Sequence, residues 1–253
     1  MSKLPFIRQL FWGNVAWSAH VFRALFGAGG RVGLSNMCHA MGVYKRQPHL
    51  RKVALSDVIP RGIEINLSHV TSENWQVTTY ELASILSIVL ARSPQCFFEF
   101  GTFDGRTSLN VLRNSPSTQV VSIDLPPGDV KLPDQKKVGN LIGEEFRGDD
   151  GRFTQLLGNS LRFDFTPFHG SVDVVFIDAG HSYACAIADS RSACRLIGER
   201  GGVIMWHDYA TWPGVTQAVE EIQALTREKA DMVWIEGTTL AVMMARPGVS
   251  LVE

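Results

Sequence analysis

Cys96-Phe97-Phe98-Glu99-Phe100-Gly101-Thr102-Phe103-Asp104-Gly105-Arg106-Thr107-Ser108 is an apolar run that stops at a glycine-punctuated turn and then opens a helix. Gly101 and Gly105 permit backbone angles and close approaches that a Cβ would forbid. The first turn of the helix offers unpaired N–H groups to a polar ligand. Together these are the sequence form of a nucleotide cradle. Glu99 at the strand end repels a pyrophosphate and favours a cationic or hydroxyl-bearing group, and no Gly-Lys-Ser/Thr follows to make a phosphate loop.

Outward from this stretch, Gln119–Leu125 (QVVSIDL) is a second apolar run, and it ends in Asp124. The interval from Glu99 holds one crossover helix between parallel strands, and a carboxylate so placed accepts hydrogen bonds from both hydroxyls of a ribose. Three further strand-like runs follow: Leu156-Leu157 before Gly158-Asn159-Ser160, Val172–Ile177 before Asp178, and Val203–Trp206 before His207-Asp208. Helical faces alternate with them, at Tyr183, Ile187, Ser190, Cys194 and Ile197, and at Val215, Ala218, Val219, Ile222 and Leu225. Such alternation implies a parallel sheet covered on both sides, with ligands at the carboxyl ends of its strands. Met232–Ile235 and Leu240–Ala245, joined by Glu236-Gly237-Thr238-Thr239, read as a closing hairpin. Upstream, Thr78-x-x-Glu81 makes a capping box before Leu82, Ile85, Leu86 and Val89, a helix face ending before Pro94. This places the main domain at residues 77–253 and leaves residues 1–76 as a helical or irregular extension, within which Ile63–Leu67 reads as a short extended piece.

In series these segments resemble motif I and the following acidic strand end of class I S-adenosylmethionine-dependent methyltransferases, over roughly Val77 to Arg246. The likeness is to the O-methyltransferase branch related to the macrocin and catechol O-methyltransferases, carried by Ile177-Asp178-x-x-His181-Ser182-Tyr183 and Trp206-His207-Asp208-Tyr209. Phe103 stands where the commoner turn has glycine, a departure the catechol-type enzymes share. The resemblance implies an α/β fold: a Rossmann-like, seven-stranded, mostly parallel sheet with an antiparallel last strand and helices on both faces. It implies S-adenosylmethionine as cofactor. Glu99, Gly101, Thr102, Phe103, Gly105, Thr107 and Ser108 would meet the amino-acid half, Asp124 and Leu125 the ribose, and Asn159 with Ser160 the adenine. Asp178, Ala179 and His181 complete the expected lining.

A hydroxyl acceptor must lose its proton, and His207 has the ordinary pKa for that task at neutral pH, with Asp208 and Asp178 beside it and His181 as the second candidate base. As plain structure, His207 would be a strand-end histidine on a carbonyl and His181 a helix cap. Asp178 and Asp208 end strands expected to be neighbours, and two carboxylates that close repel unless a cation lies between them. That cation could be the cofactor's sulfonium and ammonium, a divalent metal, or a protonated histidine. The resemblance implies Mg2+ at Asp178 and Asp208, yet His207 stands where an oxygen donor is expected, and imidazole is a poor magnesium ligand. A metal site and a metal-free site therefore both stand open.

With 253 residues, 45% hydrophobic and 19% charged, the chain can bury one α/β core plus a small attachment. A net charge of −1 without a long basic run argues against a nucleic-acid groove and for a small-molecule acceptor, which the resemblance implies is hydroxylated, a sugar or a secondary metabolite. Cys38, Cys96, Cys185 and Cys194 form no C-x-x-C pair and read as free thiols in a reducing, cytoplasmic setting. Leu10–Phe22 is apolar and aromatic, too short to span a bilayer and without a cleavage site after it. It reads as a helix packed on the catalytic domain or on a partner in a homo-oligomer, ahead of a membrane-surface helix, with Gly27, Gly29, Gly30 and Gly33 as a linker. Two other functions fit parts of the pattern: a NAD-dependent oxidoreductase and a non-catalytic cofactor-binding or scaffold subunit. The missing Gly-x-Gly-x-x-Gly and the terminal hairpin weigh against the first, and an intact motif I with both histidines against the second.

Overall fold

The computed structural model describes residues 48–70, 76–127, 138–145 and 151–248, together with Ser18. The expectations for Leu10–Phe22 and for the glycines at 27–33 lie outside the described residues. The chain divides into two compact units, Met1–Gln47 and Pro48–Glu253, and the second carries the sheet.

Its strands are β1 (Arg51–Val53), β2 (Cys96–Phe100), β3 (Gln119–Asp124), β4 (Phe153–Leu157), β5 (Val174–Ile177), β6 (Gly202–Trp206), β7 (Ala230–Ile235) and β8 (Ala241–Ala245). They form one sheet in the order β1-β7-β8-β6-β5-β2-β3-β4, with β8 antiparallel to both β6 and β7 and the other pairs parallel. The helices are α1 (Thr79–Arg92), α2 (Arg106–Asn114), α3 (Asn140–Glu145), α4 (Tyr183–Ile197) and α5 (Pro213–Thr226). The expected antiparallel end is present. The sheet has eight strands rather than seven, because Arg51–Val53 pairs in parallel with Val233–Ile235. That pairing places Arg51–Val53, upstream of residue 77, in the same sheet as the strands that follow.

Strand alternation divides the core. Phe98 and Phe100 point with Val121, Ile123, Ile204 and Trp206 to the face covered by α4 and α5, whereas Phe97, Val120, Val174 and Val203 meet Leu82, Ile85, Leu109 and Leu112 of α1 and α2. Glu99 shares the α1/α2 side, so its carboxyl is carried into the interior. Thr78 caps α1 as its sequence indicates: its hydroxyl accepts from the Glu81 N–H, and its own N–H donates to the Glu81 carboxylate at 2.9 Å. Ile63–Leu67 forms no strand. Its neighbourhood is tied to α2 by side chains instead, with the N–H groups of Asn66 and Ser68 donating to Asn114 Oδ1 and Asn110 Oδ1 at 2.7 and 2.8 Å. Among the described residues no helix is long and apolar enough to cross a membrane, and Cys96, Cys185 and Cys194 are unbridged.

Strand order reverses between β5 and β2, since the chain runs outward through β3 and β4 and then crosses back to β5 and β6. The crevice beyond the carboxyl ends of those two strands is where such a sheet takes a ligand.

Candidate active site

The β2–α2 turn brings the backbone close to β5. Gly101 has φ +92°, and a Cβ there would lie 2.1 Å from the Asp178 carbonyl oxygen, so no larger residue fits. Phe103 takes φ +48°, the left-handed conformation in which glycine is usual, and Asp124 Oδ2 accepts its N–H at 2.8 Å. Asp124 Oδ1 accepts from the Leu125 N–H at 2.7 Å. Both carboxylate oxygens are thus fixed in direction while keeping lone pairs for a ligand.

Glu99 is buried and receives the Ser108 hydroxyl on Oε2, with the Ser122 hydroxyl at 3.3 Å. Burial raises its pKa, the Ser108 hydrogen bond opposes this, and the charges of Asp178 and Asp124 add to the rise, to about 8. Beside it Arg106 is buried with Nη2 donating to the Val77 carbonyl and Nη1 lacking a hydrogen-bond partner. Its burial weakens the hold on the guanidinium proton, against the pull of Asp104, Asp178, Glu99 and Glu81.

Beyond β5 and β6 lies a second cluster. The buried His207 ring has Nδ1 3.1 Å from Asp178 Oδ1 and 3.5 Å from Asp208 Oδ2, and Nε2 3.3 Å from Glu81 Oε2. Burial favours the neutral ring, but Asp178, Asp208 and Glu81 overcome it and move the His207 pKa far above the usual histidine range. Glu81 also accepts the Thr239 N–H and hydroxyl at 2.7 and 2.8 Å. Burial works to raise its pKa, and the His207 hydrogen bond and charge, with the Thr239 and Thr78 N–H groups, bring it down to about 2. Asp208 has φ +64°, held by its N–H on Thr239 Oγ1 at 3.1 Å. Its carboxylate reaches His181 Nε2 at 2.9 Å, and hydrogen bonds from His181 and His207 outweigh burial to hold its pKa well below the usual range.

His181 is the exposed member. Its ring stacks on Trp212 at 4.8 Å between centroids and 8° between planes. A Cβ at Gly214 would stand 2.5 Å from the His181 carbonyl, so the glycine lets the start of α5 press against this loop. Burial lowers the His181 pKa, and the Asp208 hydrogen bond and the charges of Asp208 and Asp178 reverse this to a net rise.

A base must offer an unprotonated nitrogen toward the acceptor, and His207 offers none: both nitrogens face carboxylates, Nδ1 those of Asp178 and Asp208 and Nε2 that of the buried Glu81. The expected base, His207, is thus placed among carboxylates and not in the wall of the cavity at the strand ends. What lies between Asp178 and Asp208 is the imidazole itself. The ligand atoms of Asp178, His207 and Asp208 lie within 4.8 Å of one another, close enough to meet on a metal ion. Mg2+ prefers oxygen donors, and a ring nitrogen that donates a proton to the flanking carboxylates has no lone pair for a metal. These residues do not fit Mg2+.

A cavity of about 600 Å³ opens at the strand ends, lined by Glu99, Gly101, Thr102, Phe103, Arg106, Thr107, Asp124, Leu125, Asn159, Ser160, Asp178, Ala179, His181 and Asp208, among others. Two residues expected there do not line it. Gly105 starts α2 and faces Ile142, and Ser108 turns inward to Glu99. Trp206 and Tyr209 are wholly buried core. Sequence reasoning missed Arg106, readable as the residue between Gly105 and Thr107, and the second role of Glu81, which its capping box conceals.

Residues 98–209 match the family model described as a methyltransferase domain. No curated protein matches the chain. Among solved structures, the chain is similar to an O-methyltransferase from Bacillus cereus in complex with SAH, at 16% identity and TM-score 0.53, covering 69% of this chain and 84% of that one. It is similar to the SAH-bound methyltransferase PaMTH1 of Podospora anserina, at 13% identity and TM-score 0.51, covering 83% and 95%. A third likeness is to the O-methyltransferase TomG of Streptomyces achromogenes, in complex with SAM, at 16% identity and TM-score 0.51, covering 69% and 83%.

Proposed function

We propose, from the similarity of residues 98–209 to a methyltransferase-domain model, that this protein methylates a hydroxyl of a small acceptor, a sugar or a secondary metabolite, using S-adenosylmethionine. The observation that carries the reading is that the cavity wall holds both Glu99, a buried carboxyl met only by the Ser108 and Ser122 hydroxyls, and Arg106, whose Nη1 has no acceptor. A carboxyl whose pKa burial has raised suits an incoming ammonium, and a guanidinium nitrogen without an acceptor suits a carboxylate, the two charged groups of an amino acid. Asp124 then accepts from ribose hydroxyls, and Asn159 and Ser160 meet the base.

Bound S-adenosylmethionine supplies a methyl group on a sulfonium, already activated toward a nucleophile. The residues need only orient the acceptor, exclude water and remove one proton. His181 takes that proton in this reading. With Nε2–H donated to Asp208, Nδ1 is the basic nitrogen, and the stack on Trp212 fixes the ring plane. Bound S-adenosylmethionine would supply the methyl group to the acceptor oxygen and keep the electron pair of the broken bond on its sulfur, and His181 would hold the proton that the hydroxyl gives up.

Incubation of the purified protein with S-adenosylmethionine and a panel of hydroxylated compounds, followed by mass analysis, tests the reading through a product heavier by one methylene. Tighter calorimetric binding of NAD than of S-adenosylhomocysteine would overturn it.

A further inference from the structure

His207 occupies the place between two strand-end carboxylates. Nδ1 faces Asp178 at 3.1 Å and Asp208 at 3.5 Å, Nε2 faces Glu81 at 3.3 Å, and the ring is 7% exposed. Carboxylates only accept, so each nitrogen must donate to satisfy its partner, and a ring that donates from both is an imidazolium. Neutralisation or removal of the ring would leave the buried Glu81 and the half-buried Asp178 without it as counter-charge, and Asp208 with His181 alone. The edge of Phe176 closes the ring's surroundings, at 6.5 Å between centroids and 66° between planes.

We infer that His207 is a resident organic cation standing in for a divalent metal, so that the Asp178–Asp208 cluster binds no Mg2+ or Mn2+ and the protein acts without one. His207 is then a positioning residue. By holding Asp178 and Asp208 together it aims Asp208 at His181, the task an ion would otherwise perform. A bound ion would have to displace a ring anchored on a third carboxylate from α1, and would leave the buried Glu81 without its cationic partner. The inference deepens the proposed function at the same site, but metal binding is measured without acceptor or cofactor, so its outcome stands whether or not methyl transfer is found.

The experiment titrates Mn2+ into the purified protein and follows the free ion by electron paramagnetic resonance. At the cluster, wild-type protein is expected to bind more weakly than about 1 mM, and His207→Asp, which removes the cation and adds an oxygen donor, at least about tenfold more tightly than that. Wild-type binding tighter than about 1 mM that disappears in Asp178→Asn overturns the inference. Binding that survives Asp178→Asn lies elsewhere and agrees with it. Should His207→Asp fail to fold, nitrogen-15 spectra of the wild-type ring decide: two protonated nitrogens, unmoved by Mg2+, support the inference, and one unprotonated nitrogen overturns it.

Discussion

Glu81 and His207 are 126 residues apart in sequence and 3.3 Å apart in space, and the contact joins the first turn of α1 to the end of β6. Glu81 also closes the cap on Thr78 and accepts both the N–H and the hydroxyl of Thr239. One side chain therefore fixes the start of a helix, the loop before β8 and the orientation of a buried cation.

Glu81→Gln should be among the most destabilising single-atom changes available in this chain. It keeps the shape and leaves His207 facing an amide inside the core, where a broken buried pair costs about 3–5 kcal/mol. Scanning calorimetry should show the midpoint fall by roughly 6–20 °C. The pH dependence has a definite sign: Glu81 has a folded pKa of about 2, below its ordinary 4.5, so its contribution is present above pH 4.5 and lost as pH falls through 2. Glu81→Gln should flatten that acid limb.

Arg106→Gln should weaken S-adenosylhomocysteine about tenfold or more while leaving adenosine binding within about twofold, since only the former carries a carboxylate for Nη1. Calorimetry with both ligands separates this from general damage to the cavity. An equal loss for both would assign Arg106 to the support of Val77 alone.

Glu99 supplies a proton-counting test. Its carboxyl, raised to about 8, is mostly protonated at pH 7, and an incoming ammonium should convert it to the carboxylate with release of about one proton. Titrations at pH 7 in buffers of different ionisation enthalpy should report that release. It should vanish well above pH 8, where the proton has already left, and in Glu99→Gln at any pH.

His181→Ala should lower turnover by about a hundredfold or more with cofactor affinity nearly unchanged. The wild-type rate should rise with pH through a pKa above the ordinary 6.5, because the base works when neutral and Asp208 stabilises its charged form. Asp208→Asn should therefore move that limb to lower pH. A limb that stays in place would detach the two residues functionally.

The fold was legible wherever a strand ended in a change of residue type. Glu99, Asp124, Asp178 and Asp208 follow or close apolar runs, and a doubly wound sheet collects such ends on one edge. Contacts that depend on tertiary placement were not legible. Glu81 already has a complete local role as a cap, so nothing in the sequence calls for a distant histidine. Ser108 sits two residues beyond Arg106, and the helical turn sends it behind the cavity to Glu99. Arg106 breaks the rule against cations at a helix start, and its reason appears only with Asp104, Asp178, Glu99 and Glu81 around it. His207 read as a base because its ordinary pKa suited one, and three carboxylates from separate elements change that property.

The three-residue β1 covers the outer edge of β7. Without it, β7 would present its outer row of N–H and C=O groups to solvent, next to Met232, Val233 and Ile235, a template for a strand from another chain. Arg51–Val53 takes up that row over Val233–Ile235 and replaces it with a shorter border bearing Arg51 and Lys52, the latter with its ammonium 4.0 Å from the Trp234 ring. Loss of residues 48–53 would leave the cavity's walls standing, since none of them lines it, and would turn a self-contained sheet into one inclined to aggregate along β7.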